Sequence, residues 1–178
     1  MQLIKGGVTA PTGFLAAGVP ADIKGKGGSK KDLAILLSLA PCAAAGVYTT
    51  NVVKAAPVIL SQQRTATGSL QAVVVNSGNA NACTGEQGMQ DAVAMVELTA
   101  QALGLSPEAV AVASTGVIGV PLPMDRVTAG ISAAAAALSA DSADAAAEAI
   151  MTTDTFPKQY AVQFELGGAM VTIGAMAK

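Results

Sequence analysis

The run Leu70-Gln71-Ala72-Val73-Val74-Val75 passes straight into a polar loop, Asn76 to Gly85, and then into a stretch with apolar residues at Met89, Val93, Val96, Ala100 and Leu103. A nearly continuous β-branched run suits a strand covered on both faces. The spacing that follows is that of an amphipathic helix, stopping at Gly104. Ser106-Pro107-Glu108 opens the next unit, and Ala109 to Ala113 reads as a second strand ending in Ser114-Thr115-Gly116. Strand, helix and strand in succession commit the chain to an α/β architecture of layered sheets and helices.

The flanking segments extend this pattern. Gly6 to Gly28, rich in Gly and Pro, predicts short strands and tight turns. Asp32 to Ser38 predicts a strand, Pro41 a break, and Ala43 to Thr49 a further strand. Asn51 is placed to cap a helix running to Arg64, with Pro57 in its first turn. Alanine dominates Met124 to Ala149, which predicts two helices interrupted at Ser139 to Ser142, thin enough to pack closely on a sheet. Gln159 to Leu166 and Ala169 to Gly174 predict a hairpin about Gly167-Gly168. At 178 residues, 52% hydrophobic and 12% charged, the chain has the material for one domain, 1–178, and too little charge for disorder.

Composition narrows the chemistry. The chain has no histidine, which excludes a Ser-His-Asp triad, a His-ligated zinc and an imidazole base within it. A net charge of -2 with 3% aromatics and no Trp leaves neither a broad basic face nor stacking platforms for nucleic acid. Cys42 and Cys83 are too few for a metal knuckle or a disulfide scaffold and are expected as reduced thiols. Met1 to Phe14, broken by Gly6, Gly7, Pro11 and Gly13, lacks the apolar core of a signal peptide. The run Leu33 to Leu37 is too short to span a bilayer. A cytoplasmic protein with no membrane, metal or nucleic-acid partner is expected. The closing Gly174-Ala175-Met176-Ala177-Lys178 has no polar tail and predicts a processed or truncated subunit.

Four segments are candidate sites. Asn76 to Gly85 places three asparagines, two hydroxyls and glycines at the carboxyl end of a buried strand, where ligands gather in α/β sheets; a hydrogen-bonded structural turn is the equal alternative. Ser114-Thr115-Gly116-Val117-Ile118-Gly119 can aim a hydroxyl and a backbone N–H at one point, as acyl transfer requires, or be an ordinary strand-to-loop turn. Met151-Thr152-Thr153-Asp154-Thr155-Phe156-Pro157-Lys158 groups hydroxyls, an acid and a base, or simply ends a helix. Lys24 to Lys31 lacks the spacing of a phosphate-binding loop and precedes a strand, which favours a solvated turn.

Taken together, Ala43 to Asn51 with Lys54-Ala55-Ala56-Pro57-Val58, the Asn76 to Gly85 loop, Ser114 to Gly119, Met151 to Thr155 and Gly174 to Lys178 resemble the ornithine acetyltransferase, or ArgJ, family, in order and over nearly the whole chain. The resemblance implies the fold of that family's N-terminal nucleophile type and a precursor that cleaves itself before a threonine. This chain would be the α chain, completed by a β chain whose new N-terminal Thr is the nucleophile and whose α-amine is the base. The implied reaction is acetyl transfer from N2-acetylornithine to L-glutamate through an acetyl-threonine, in cyclic arginine biosynthesis. It needs no cofactor, with acetyl-CoA as a second acetyl donor in many members. The family's oxyanion hole matches Thr115 and Gly116, and its α-chain substrate contacts match Thr152 and Lys178. Dimers or higher multiples of the αβ unit are implied. The chain departs from the family pattern in ending before the Gly-rich stretch that leads to the cleavage point. An N-terminal nucleophile amidase or aminopeptidase, and a non-catalytic amino-acid-binding module, are the competing functions.

Overall fold

A computed structural model describes residues Met1–Lys178. The elements follow as β1 (Gln2–Ile4), β2 (Phe14–Val19), β3 (Leu33–Ala43), α1 (Ala56–Thr65), β4 (Ser69–Asn76), α2 (Gly85–Leu103), β5 (Val110–Ser114), α3 (Met124–Ala136), α4 (Ala143–Ala149), β6 (Lys158–Leu166) and β7 (Ala169–Ala177). The expected strand–helix–strand unit is β4-α2-β5: the two strands pair in parallel, from Ala72 opposite Val110 to Asn76 opposite Ser114, as a helical crossover demands. β3 and β2 extend this sheet antiparallel, in the order β2-β3-β4-β5, and β1-β6-β7 form a second, antiparallel sheet.

Alternation along the strands divides the interior. Ala17, Leu33, Ile35, Ala72 and Val74 pack with Leu60 of α1, Met95 and Val96 of α2, and Val127 and Ile131 of α3. Ala16, Ala34, Leu36 and Val75 join Ala146, Ala149 and Ile150 around α4 in a smaller core. The thin alanine face of α4 does allow the close packing expected of it. A Cβ added to Gly18 of β2 would lie 1.9 Å from the carbonyl oxygen of Ala145, so helix backbone rests directly on strand backbone. The break before α4 is also used, because Ser139 exchanges two 3.0 Å backbone hydrogen bonds with Ala16. The hairpin turns at Gly167 and Gly168, both with positive φ, the conformation that two-residue hairpin loops favour.

Four expectations are corrected. Pro41 does not end a strand: β3 runs to Ala43, and its register with β4 shifts between Leu37 and Cys42, so the proline falls in a bulge where no ladder N–H is needed. Ala43 to Thr49 is consequently not a second strand; beyond Ala43 this segment is irregular and is tied down by Tyr48, whose hydroxyl donates to the Ser61 carbonyl oxygen at 2.8 Å. Asn51 does not cap α1. Its side-chain oxygen accepts from Val53 N at 2.9 Å, and the helix starts at Ala56 with Pro57 in the first turn, where a missing N–H costs nothing. Finally, β4 is fully buried on only one face, since Val73 and Val75 are half-buried. No helix is long and apolar enough to cross a membrane.

Candidate active site

The carboxyl ends of β4 and β5 carry two loops that run side by side. Asn76, fully buried, donates through Nδ2 to Ser114 Oγ at 2.6 Å and accepts the N–H groups of Gly78 and Asn79 on Oδ1. Its carbonyl takes the Thr115 N–H at 3.0 Å, and beyond it Val117 N bonds Gly78 O, Ala80 N bonds Val117 O and Gly119 N bonds Ala82 O. Asn79 Nδ2 donates to Pro121 O, Asn81 Nδ2 to Gly88 O, and Thr84 Oγ1 to Asn81 Oδ1. The three asparagine side chains are therefore committed inside the protein. Of the two alternatives for this loop, their role is the structural one: they form the bed that shapes the neighbouring loop.

Gly116 lies on that bed at φ +133, and a Cβ there would sit 2.0 Å from Gly78 O. Only glycine fits, through both backbone conformation and space. The backbone N–H of Thr115 is spent on Asn76, while the Thr115 hydroxyl and the Gly116 N–H have no partner within the chain. Both residues are half-buried. Two unspent donors on consecutive residues, at a strand end, have the composition of an oxyanion hole.

The second pair meets directly. Lys178, at the end of β7, donates from Nζ to Thr152 Oγ1 at 2.6 Å and to Asp154 Oδ2 at 2.9 Å. The other carboxylate oxygen of Asp154 accepts from Lys158 Nζ at 2.6 Å, and Thr152 N also donates to Oδ2, at 3.2 Å. The Lys158 ammonium, then that of Lys178, then the Thr152 N–H hold the Asp154 carboxyl well below the usual carboxylate range. Two ammonium groups on one carboxylate leave a positive excess beside a hydroxyl, an arrangement suited to a carboxylate ligand. Residues Thr152 to Lys158 thus do more than end a helix. Asp154 and Lys158 belong to this cluster, and the sequence signal for them was an acid and a base four residues apart.

The two pairs do not touch each other by hydrogen bonds, but one connection joins their supports. Ser77, next to Asn76, donates from Oγ to the carbonyl oxygen of Ala149 at 2.6 Å, at the end of α4 that leads into Thr152. Lys30 reaches the same place, with Nζ 3.2 Å from Thr152 O, and Lys31 pairs with Glu148 at 2.6 Å. Residues 24 to 30 are exposed, as a solvated turn should be, and only Lys30 and Lys31 at its end reach α4 and Thr152. Cys42 and Cys83 are both free. No three His, Cys, Asp or Glu side chains gather anywhere in the chain.

The sequence model of the ArgJ family matches residues 15–178. An arginine biosynthesis bifunctional protein ArgJ from Symbiobacterium thermophilum is 72% identical over 178 residues, and one from Caldanaerobacter subterraneus is 51% identical; all of this chain is covered, with 44% and 43% of those relatives. The chain therefore spans less than half the length of these full-length relatives. Among solved structures, an ornithine acetyltransferase complexed with ornithine from Mycobacterium tuberculosis superposes with a TM-score of 0.90 at 45% identity. An ArgJ crystal structure from Bacillus halodurans gives 0.89 at 42%. In both cases 99% of this chain and 93% of the matched chain are covered.

Proposed function

The chain belongs to the ArgJ family, and from that premise we propose that it is the α-chain part of an ornithine acetyltransferase, moving acetyl from N2-acetylornithine to L-glutamate. The observation that carries this reading is the bonded link between two half-sites: the unspent donors of Thr115 and Gly116, and the Lys178–Thr152 pair, joined through Asn76, Ser77 and Ala149. Thr115 and Gly116 hold the developing oxyanion. Lys178 and Thr152 receive the amino-acid part of the substrate, the ammonium meeting its carboxylate.

The nucleophile comes from a β chain released from the same precursor. Its N-terminal threonine Oγ attacks the acetyl carbonyl, and the proton it loses passes to the α-amine. The C–N bond of acetylornithine then breaks and ornithine leaves with that proton. Glutamate's amine next attacks the acetyl-threonine ester, the C–O bond breaks, and the threonine hydroxyl is restored. No cofactor is consumed; acetyl-CoA serves as a second acetyl donor. Two observations support a covering β chain. Full-length relatives are more than twice as long as this chain, yet the matched crystal chains are nearly its length. In addition, Leu3, Tyr160, Leu166 and Ile173 share one face of the β1-β6-β7 sheet and are exposed, and contiguous exposed apolar side chains are what interaction surfaces present. The assembled enzyme is an αβ dimer pair or a higher multiple, working in the cytoplasm.

The test is product analysis of the full-length protein with N2-acetylornithine labelled in the acetyl group. Label recovered in acetylglutamate only when glutamate is present is the expected result. Label released as acetate whether or not glutamate is present would make it an amidase, and no turnover with tight amino-acid binding would make it a binding module.

A further inference from the structure

Asp154 is met by two ammonium groups at once. Lys178 Nζ donates to its Oδ2 at 2.9 Å and Lys158 Nζ to its Oδ1 at 2.6 Å, and neither lysine pairs with any other carboxylate. The cluster therefore keeps one positive charge that nothing in the chain offsets. Its two cations differ in their surroundings. Lys178 also donates to Thr152 Oγ1 at 2.6 Å and so belongs to the pair that receives the main-chain carboxylate of an amino acid. Lys158 makes no hydrogen bond besides the one to Asp154. Its side chain is 38% exposed against 12% for Asp154, so the carboxylate is covered while this ammonium still opens outward.

It opens at a cavity of about 480 Å³, walled by Phe156, Tyr160 and, from β7, Ala175 and Ala177. Lys158 is the one charged residue in that lining. Strand alternation puts Lys158 and Tyr160 on the same face of β6, opposite Ala177 and Ala175. The Phe156 ring, its centroid 5.3 Å from the ammonium, helps to hold the lysine there. Lys158 thus belongs to the Asp154 cluster and to the cavity wall, and that shared residue joins the two. Because Lys158 and Lys178 grip the two oxygens of one carboxylate, their ammonium groups stand within about 8 Å of each other. The two carboxylates of a single glutamate can reach both. Glutamate ends in a carboxylate and ornithine in an ammonium, so a cation at the side-chain position attracts the first and repels the second.

We propose that Lys158 selects the acyl acceptor: with the main-chain carboxylate on Lys178 and Thr152, its ammonium meets the side-chain carboxylate of L-glutamate at the cavity walled by Phe156 and Tyr160. This deepens the acetyltransferase reading and rests on it. The donor's cationic end gains nothing from Lys158, so donor and acceptor are told apart at one residue.

The experiment uses the full-length protein with Lys158→Met, which keeps an apolar stem against Phe156 and removes the charge, and Lys158→Arg, which restores it. N2-acetylornithine is the donor, and glutamate or glutamine the acceptor. In Lys158→Met the KM for glutamate should rise about tenfold or more beyond any rise in the KM for acetylornithine, and the kcat/KM preference for glutamate over glutamine should fall by about tenfold or more. Lys158→Arg should recover most of that preference. Equal rises in both KM values with the preference intact would make Lys158 only a support for Asp154 and overturn the proposal. A wild type that acetylates glutamine as readily as glutamate would overturn it too, without recourse to a variant that must fold. A wild type that fails with acetylornithine would sink the transferase reading instead. Calorimetric titration of glutamate and glutamine into wild type and Lys158→Met would then decide the role of Lys158 by itself: tighter binding of glutamate by the wild type alone upholds it, and equal binding of the two amino acids refutes it.

Discussion

Ser77 Oγ donates to the carbonyl oxygen of Ala149 across 2.6 Å, and through that bond the loop supporting Thr115 and Gly116 is fastened to the helix end that leads into Thr152. The bond is buried, with Ser77 only 3% exposed. Ser77→Ala should therefore cost about 1–3 kcal/mol of stability, the penalty of removing a buried donor. It should also raise the KM for acetylornithine, since Thr152 loses its anchor. Urea unfolding and steady-state kinetics on the full-length protein check both; lost stability with unaltered KM would confine Ser77 to folding.

Thr115→Ala removes one unspent donor and leaves the Thr115 backbone bond to Asn76 in place. A fall in kcat of roughly 10²-fold with little change in KM is expected, the usual cost of one oxyanion donor. Thr115→Ser should recover most of the rate. Wild-type turnover in the alanine variant would take Thr115 out of the site.

Gly116→Ala has a different signature, because its Cβ would meet Gly78 O and its φ is unfavourable for any L side chain. Backbone strain alone costs about 1–3 kcal/mol, and the collision adds to it. Both thermal stability and kcat should fall, whereas Thr115→Ala should lower only kcat. Calorimetric melting of the two variants side by side makes the comparison.

Lys178→Ala removes the ammonium between Thr152 and Asp154. Its main effect should be on KM for acetylornithine and glutamate, raised roughly 10- to 100-fold, or about 1.4–2.8 kcal/mol. A preserved KM with lowered kcat would assign Lys178 to the chemical step.

The Asp154 carboxyl, held well below the usual range by Lys158, Lys178 and the Thr152 N–H, sets a pH dependence. A depressed folded-state pKa contributes stability that is complete above the unfolded value, about 3.9, and is lost as pH falls through the folded value. The difference in urea midpoint between wild type and Asp154→Asn should thus stay level from neutrality down to about pH 4 and shrink only below it. A difference that already fades between about pH 7 and about pH 5 would contradict the cluster as described.

Sequence periodicity made the β4-α2-β5 unit, the two alanine helices and the Gly167-Gly168 hairpin legible, since each depends on residues close in the chain. Pro41 misled because a bulge, which depends on register with β4, supplies the one place in a strand where proline is harmless. Asn51 misled because Pro57 decides where α1 begins. At the site, the Thr115–Gly116 step could be found by its type, but that the Thr115 N–H is spent and the Gly116 N–H free depends on Asn76, on another strand. The role of Asp154 was hidden for a similar reason: one of its two lysines, Lys178, is 24 residues away. The alternation in β6 and β7 was plain, but not that its apolar side, with Tyr160 and Ile173, would face outward.

The composite site is tested most directly by trapping the acetyl group. The full-length protein is incubated with N2-acetylornithine in the absence of glutamate, quenched, and its polypeptides are mapped by mass spectrometry. The acetyl group should be found on the N-terminal threonine of a second polypeptide and nowhere on residues 1–178. An acetyl ester on a side chain of this chain, such as Thr115 or Thr152, or transfer by an uncleaved single polypeptide, would contradict the account.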